Sequence, residues 1–416
     1  MTLRQSSCGC PDGTSGGAAA AGIASVAAGR VVGRFVGRVA GGIARDTADG
    51  TAPCACAGRS RRRRAWAELL RLPALFSVPG DALAGAAAAG SAPGSRTLLA
   101  IGSSLCLYEA GMALNDWADR DVDAVERPHR PLPSGRVRPA AALTAACALT
   151  GAGLALAARA GRPALAVAAP LAATVWAYDL GLKHTPAGPV AMGTARGLDL
   201  LLGAAATTGH ARPALPSAAL LGTHTLAVTT VSRQEAQGGS PLAPLAALAA
   251  TALLTRQMTR RSASPTRVRR QGTAHGLTGP RAARHFGQGS AGRQGTAHGL
   301  TAPRAARHFG QGSAGRQGTA HGLTGPRAVR RPGQESAALL TTALGAAYAA
   351  TAARPYFHAA LNPSPPLTQR AVGAGIRATI PLQATLAARS RGTATALLIA
   401  ALAPLGARFA KKVSVT

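Results

Sequence analysis

Aromatic residues make up only 3% of this 416-residue chain, and its fifteen acidic residues face 46 lysines and arginines. So few rings leave little to stack on unpaired bases, which argues against a single-strand nucleic-acid binder despite a formal net charge of +31. Lysine is scarce too: Lys183, Lys411 and Lys412 are the three in the chain, so the basicity is arginine. It is also unevenly placed. Ten arginines stand in residues 1–65 and fifteen in Arg256–Glu335, so 25 of the 46 basic residues lie outside the apolar stretches. A basic face that grips nucleic acid is therefore not expected. Arginine beside abundant alanine, glycine and proline is what a strongly GC-biased gene encodes.

Charge is missing altogether from long runs. Pro139–Ala157, Pro163–Tyr178, Pro213–Val231 and Ser240–Thr255 contain no Asp, Glu, Lys or Arg. Each approaches the ~20 residues that cross a ~30 Å hydrocarbon core. Further windows are Ala67–Gly90, Thr97–Leu114, Pro186–Ala206 (with Arg196 and Asp199), Ser336–Ala353, Ala371–Ala388 and Thr393–Leu405. A soluble helical bundle would carry a polar stripe every three to four residues. Ala164–Ala177 has none. With 47% hydrophobic and 15% charged residues the chain is too apolar to be disordered throughout. The expectation is an all-α, polytopic membrane helix bundle of about nine transmembrane helices, multi-pass in the cell membrane. Alanine supplies much of the apolarity, so each window inserts with less drive than a leucine-rich one.

The expected organisation is a basic, disordered tail over residues 1–65 and a first bundle segment of about seven helices over 66–255. A disordered insertion follows over 256–335, then the remaining helices over 336–408 and a short tail over 409–416. In the tail, Cys8 and Cys10 with Cys54 and Cys56 form two C-x-C pairs, which is not the spacing of a zinc site. No early run joins a basic start, an apolar core and a cleavage site, so no cleaved signal peptide is expected. The cluster Arg59–Arg64 should hold its end of the first span in the cytoplasm. In the insertion, Arg270–Gly292 recurs almost unchanged at Arg293–Gly315 and begins again at Arg316, a period of 23 residues. A solenoid would need more bulky apolar residues per copy than Leu277 and Phe286 and their like provide. His275, His298 and His321 recur as copies rather than as metal ligands.

The chemistry concentrates after the second window, in Asn115-Asp116-Trp117-Ala118-Asp119-Arg120-Asp121-Val122-Asp123. If the helix runs on, Asp116, Asp119 and Asp123 fall at i, i+3 and i+7 on one face. Carboxylates so close repel unless a cation sits between them. Mg²⁺ accepts oxygen ligands and completes its shell with water and phosphate, so the pattern suits a metal-bridged diphosphate. Arg127, Arg130 and Arg136 follow, with side chains suited to phosphate oxygens. An ordinary solvated loop would also mix charges. Here, however, four of the chain's fifteen acidic residues stand within eight positions at the end of a membrane helix, where polar clusters are functional candidates.

At these residues the sequence resembles the UbiA superfamily of intramembrane prenyltransferases. The motif N-D-x-x-D-x-x-x-D is matched by Asn115, Asp116, Asp119 and Asp123, and R-P-L-P-x-G by Arg130–Gly135. Tyr178–Lys183, followed by His184-Thr185 and a helix holding Gly193, Gly197 and Gly203, is similar to the family's tyrosine-to-lysine loop. The resemblance runs from about Arg64 to Thr255 and resumes near Ser336. It implies a nine-helix bundle with a cytoplasmic active site. It also implies Mg²⁺-assisted ionisation of an isoprenyl diphosphate and alkylation of an aromatic or other small nucleophilic acceptor. Catalysis would fall to Asp116, Asp119, Asp123 and Lys183. Diphosphate binding would fall to Asn115, Arg127, Arg130, Tyr178, Lys183 and Arg233, and metal binding to Asp116, Asp119, Asp123 and Glu235. The implied partners are the isoprenyl diphosphate, the acceptor and the lipid bilayer, with no specific nucleic acid and no obligate protein partner.

One departure stands out. The family's second aspartate-rich motif should fall where this chain reads Thr229–Gly239, in which Glu235 is the only carboxylate. The chain is then a divergent member that binds one metal, uses Arg233 in place of the other, or has lost catalysis. Asp199 is expected to pack near Arg196 rather than to compensate. Two other readings stay open: a binding or transport protein on the same fold, and an arginine-rich binder of anionic surfaces or nucleic acid.

Overall fold

Seven helices open on a proline at their first or second position, where the missing N–H would have had no partner anyway. In the computed structural model, which describes residues 55–71, 76–235, 239–263, 332–390 and 392–413, the order is all-helical. The elements are α1 (Ala55–Leu69), α2 (Val78–Ala88), α3 (Ser95–Ala118), α4 (Arg120–Glu126), α5 (Pro139–Ala160) and α6 (Arg162–Leu180). They continue as α7 (Gly188–Thr208), α8 (Leu215–Ser232), α9 (Leu242–Ala263), α10 (Pro332–Leu361), α11 (Pro365–Arg389) and α12 (Thr393–Val413). Short 3₁₀ turns at Leu182–His184 and Arg212–Ala214 join neighbours. Cys8, Cys10, Cys54, most of the repeat and its three histidines lie outside the described residues.

Five helices are long and apolar enough to cross a membrane: Ser95–Ala118, Pro139–Ala160, Arg162–Leu180, Arg212–Ser232 and Glu335–Leu361. Length and composition thus mark five spans among the described residues. Glycines, threonines, Arg196 and Asp199 dilute the hydropathy of α7, and arginines that of α9 and α11. The expected first span, Ala67–Gly90, is not one helix. The α1 helix stops at Leu69, Arg71 takes a left-handed φ of 46°, and α2 begins only at Val78. With 11 residues, α2 is too short to cross a ~30 Å core at ~1.5 Å per residue.

Consecutive helices pack side by side from α5 to α12, and α2 closes the ring by touching α11 and α12 while resting on α7. Small residues permit the close approaches. A Cβ on Gly193 of α7 would stand 2.7 Å from the Gly222 carbonyl of α8, and one on Gly222 would stand 2.8 Å from the Gly193 carbonyl. Helices in lipid gain their packing energy from such backbone proximity. A second, smaller apolar cluster lies at one end of the bundle. It joins Ala65, Leu69 and Leu70 of the α1 region, Ala113 and Leu114 of α3, Leu132 and Val137 of the following loop, and Ala142 and Ala146 of α5. This cluster holds the loop that carries Arg127 and Arg130 of the candidate site.

Candidate functional site

Asn115 and Asp116 are in the last turn of α3, Asp119 follows it, and Asp123 is in α4. The helical hydrogen bonds run on through the junction, from Asp119 N–H to Asn115 (2.9 Å) and from Asp123 N–H to Asp119 (2.8 Å). That continuity puts Asp116 and Asp123, two turns apart, on one face. One guanidinium nitrogen of Arg130 answers both: Nη1 lies 2.6 Å from Asp123 Oδ2 and 3.6 Å from Asp116 Oδ1. Asp119 turns aside from this pair. Its Oδ1 is 2.6 Å from Lys183 Nζ and 4.0 Å from His184 Nε2.

The loop between α4 and α5 aims Arg130. Leu132 and Val137 are buried in the small cluster, Val137 N–H donates to the Pro131 carbonyl at 2.9 Å, and Ser134 donates back to the Arg130 carbonyl. Gly135 has φ of 71°, which its lack of a Cβ permits. The R-P-L-P-x-G pattern is therefore an anchor for one arginine. Arg136 does something else. It forms a two-pronged pair with Glu68 of α1, at 2.7 and 3.1 Å, and that hydrogen bond raises its pKa further. Arg127 remains exposed, 3.6 Å from Asp123.

Loop and helix ends from elsewhere complete the cluster. Asn115 donates to Asp179 of α6 at 3.1 Å, tying the first motif to the tyrosine-to-lysine segment. Tyr178 is half-buried beside Asp179. Lys183 is only 8% exposed. Arg233, exposed at the end of α8, donates to the Thr185 carbonyl and so reaches the lysine loop. Glu235 follows on the same turn, while residues 236–238 lie outside those described. Among the described residues, no three or more His, Cys, Asp or Glu side chains gather tightly enough to hold a metal ion unaided. Basic groups stand between the predicted ligand carboxylates. The donor chemistry nevertheless fits Mg²⁺: Asp116 and Asp123 offer oxygen alone, and one or two carboxylates suffice when phosphate supplies the rest.

Two groups here escaped the sequence reading. Arg71, inside an expected span, donates to Asp116 Oδ1 at 3.3 Å. Asp81 is fully buried; Arg196 Nε lies 2.9 Å from its Oδ2 and Gln383 donates to its Oδ1 at 2.6 Å. Arg196 thus pairs across helices with Asp81, and Asp199, also within electrostatic reach of Arg196 as expected, accepts from Ser104. The short Arg71 and Asp81 neighbourhoods carry no recognisable spacing, so only tertiary contact identifies them.

Residues 76–261 match the UbiA prenyltransferase family. A digeranylgeranylglyceryl phosphate synthase of Methanothrix thermoacetophila is 38% identical over 112 residues, 27% of this chain and 42% of that protein. A protoheme IX farnesyltransferase of Acidiphilium cryptum is 36% identical over 154 residues, 35% of this chain and 48% of that protein. The chain thus spans about half the length of the curated relatives it matches. A solved UbiA homologue from Aeropyrum pernix K1 aligns at 17% identity with a TM-score of 0.44, covering 73% of this chain and 96% of that one.

Proposed function

We propose that this chain, whose residues 76–261 match the UbiA prenyltransferase family and whose helices make it a multi-pass membrane protein, transfers an isoprenyl group from an isoprenyl diphosphate to a small acceptor. The observation that carries this reading is the convergence of two separate segments, Asn115–Arg130 and Tyr178–Lys183, through the Lys183–Asp119 and Asn115–Asp179 contacts. Carboxylates and cations alternate there, as a metal-diphosphate ligand requires.

Arg130, Lys183 and Arg233 bind the diphosphate oxygens in this account, with Asn115, Arg127 and Tyr178 at its margins. Arg71 joins them as a cation that the sequence alone did not mark. Each of the first two already holds a carboxylate, so an arriving diphosphate exchanges one anion for another without stranding a bare charge. Asp116 and Asp123, with Asp119 and Glu235 as further donors, would hold Mg²⁺. When bound, Mg²⁺ neutralises charge on the diphosphate leaving group. The protein's own contribution is to fix these groups before substrate arrives and to keep water from the prenyl end. Fixed charge aimed at a developing anion is the larger part of such catalysis. On the bundle side of the cluster α3 is apolar, with Leu105, Leu107 and Ala110 buried.

A second reading, binding or transport without turnover, is favoured by Glu235 standing as the only carboxylate in Thr229–Gly239. Lipid extracts of cells with and without the gene separate the two. Transfer predicts a prenylated product that disappears on deletion, whereas binding alone predicts unchanged prenylated lipids.

A further inference from the structure

Six carboxylates are buried among the described residues: Asp81, Glu109, Asp116, Asp123, Asp179 and Asp199. Five are engaged. Asp81 has Arg196 and Gln383, Asp116 has Arg71 and Arg130, Asp123 has Arg127 and Arg130, Asp179 has Asn115, and Asp199 has Ser104. Glu109 is the exception. Its side chain is 1% exposed and neither carboxyl oxygen has a hydrogen-bond partner. Burying an acceptor with no donor is costly enough that such groups call for an explanation, and a ligand's donor is one.

Its position says which ligand. Glu109 precedes Asp116 by seven residues on α3, which is two turns, so the two carboxyls lie on one face of the helix. At ~1.5 Å per residue Glu109 stands ~10 Å further into the bundle. The prenyl carbon that reacts is bonded to the diphosphate. A group that takes the acceptor's proton must stand near that carbon and off the diphosphate, and Glu109 is the buried carboxyl displaced from Asp116 along the same helix face.

We propose that Glu109 is the proton acceptor of the transfer reaction and that the reacting group of the acceptor is a neutral hydroxyl; this rests on the transferase reading above. In the ground state the acceptor O–H donates to a Glu109 oxygen. As the bond from the acceptor oxygen to the allylic carbon forms, the bond from that carbon to the diphosphate oxygen breaks. The diphosphate leaves with the electron pair and the hydroxyl proton passes to Glu109. A carboxylate acceptor would set two anions side by side in apolar surroundings. A carbon nucleophile without a hydroxyl would bring no O–H to meet the two bare oxygens.

The test uses the full chain in proteoliposomes with geranylgeranyl diphosphate labelled in its prenyl chain. A 1-O-alkylglycerol with free hydroxyls and the matching long-chain fatty acid serve as acceptor probes. The wild type should alkylate the alcohol and not the acid. Glu109→Gln should lower transfer about 100-fold, within the usual range for loss of a general base. It should leave binding of a non-reactive thiolo analogue of the diphosphate within about twofold. Glu109→Asp should retain an intermediate rate. A merely structural carboxyl would reveal itself by a lower melting temperature in Glu109→Gln, whereas an unpartnered one should melt no lower than wild type. Transfer by Glu109→Gln within about fivefold of wild type, preference for the acid, or diphosphate release without alkylation of the alcohol would each overturn the inference while leaving the transferase reading in place. A wild type that releases no diphosphate would overturn both.

Discussion

Lys183 Nζ lies 2.6 Å from Asp119 Oδ1, across 64 positions of sequence, and the lysine side chain is only 8% exposed. Two segments that are unrelated in spacing are thereby joined at one end of the bundle. Lys183→Ala should weaken isoprenyl-diphosphate binding by about 100-fold, the scale on which removing one preorganised donor acts. Affinity for the acceptor should stay within twofold. Equilibrium binding of each substrate alone checks the assignment, and the opposite pattern would reverse it.

The anchoring of Arg130 gives a second expectation. Leu132→Ala removes a buried side chain from the small cluster at the bundle end, which should cost about 2–5 kcal/mol by the usual large-to-small scale. It should also raise KM for the diphosphate, because Arg130 loses its fixed direction. A stability loss without any change in KM would show that the loop does not aim the arginine.

Helix contact makes the third. Gly193→Val places a Cβ where the Gly222 carbonyl is 2.7 Å away, so α7 and α8 cannot keep their distance. The variant should fail to give monodisperse protein in detergent, as size-exclusion chromatography would show. Ala187→Val, at an exposed position before the same helix, is the control and should behave as wild type.

How far the sequence discloses all this depends on whether a feature is local. The Asn115–Asp123 run, the Arg130–Gly135 loop and Lys183 are short patterns of unusual composition, and the structure brings them together. Asp119 is a partial exception: helical spacing groups it with Asp116 and Asp123, but Lys183 draws it to a different side. Arg71, Asp81 and Glu109 were invisible because their meaning lies in partners, or the lack of one, on other helices. Hydropathy averaging also merged α1 and α2 into one span, since a window cannot register the left-handed turn at Arg71. Charges misled at other ends. The expected windows stop at Thr255 and Leu405, whereas α9 continues to Ala263 and α12 to Val413. Backbone hydrogen bonding does not stop at the first arginine.

The segment 264–331, outside the described residues, separates α9 from α10. Its repeats hold little to bury, and closing a loop costs entropy that grows only slowly with length. A short Gly/Ser linker in its place should preserve both membrane insertion and transfer. Normal insertion with lost transfer would assign the repeats a role.

The central claim is that the carboxylates between Asp116 and Asp123 serve a metal-diphosphate. The most direct measurement follows diphosphate release from a series of isoprenyl diphosphates by the purified full chain, with and without Mg²⁺, for wild type, Asp116→Asn and Asp119→Asn. The account predicts Mg²⁺-dependent release by the wild type and loss of at least about 100-fold in each variant, with all three proteins inserting normally. Release that ignores Mg²⁺, or that either variant sustains within about twofold of wild type, would contradict it.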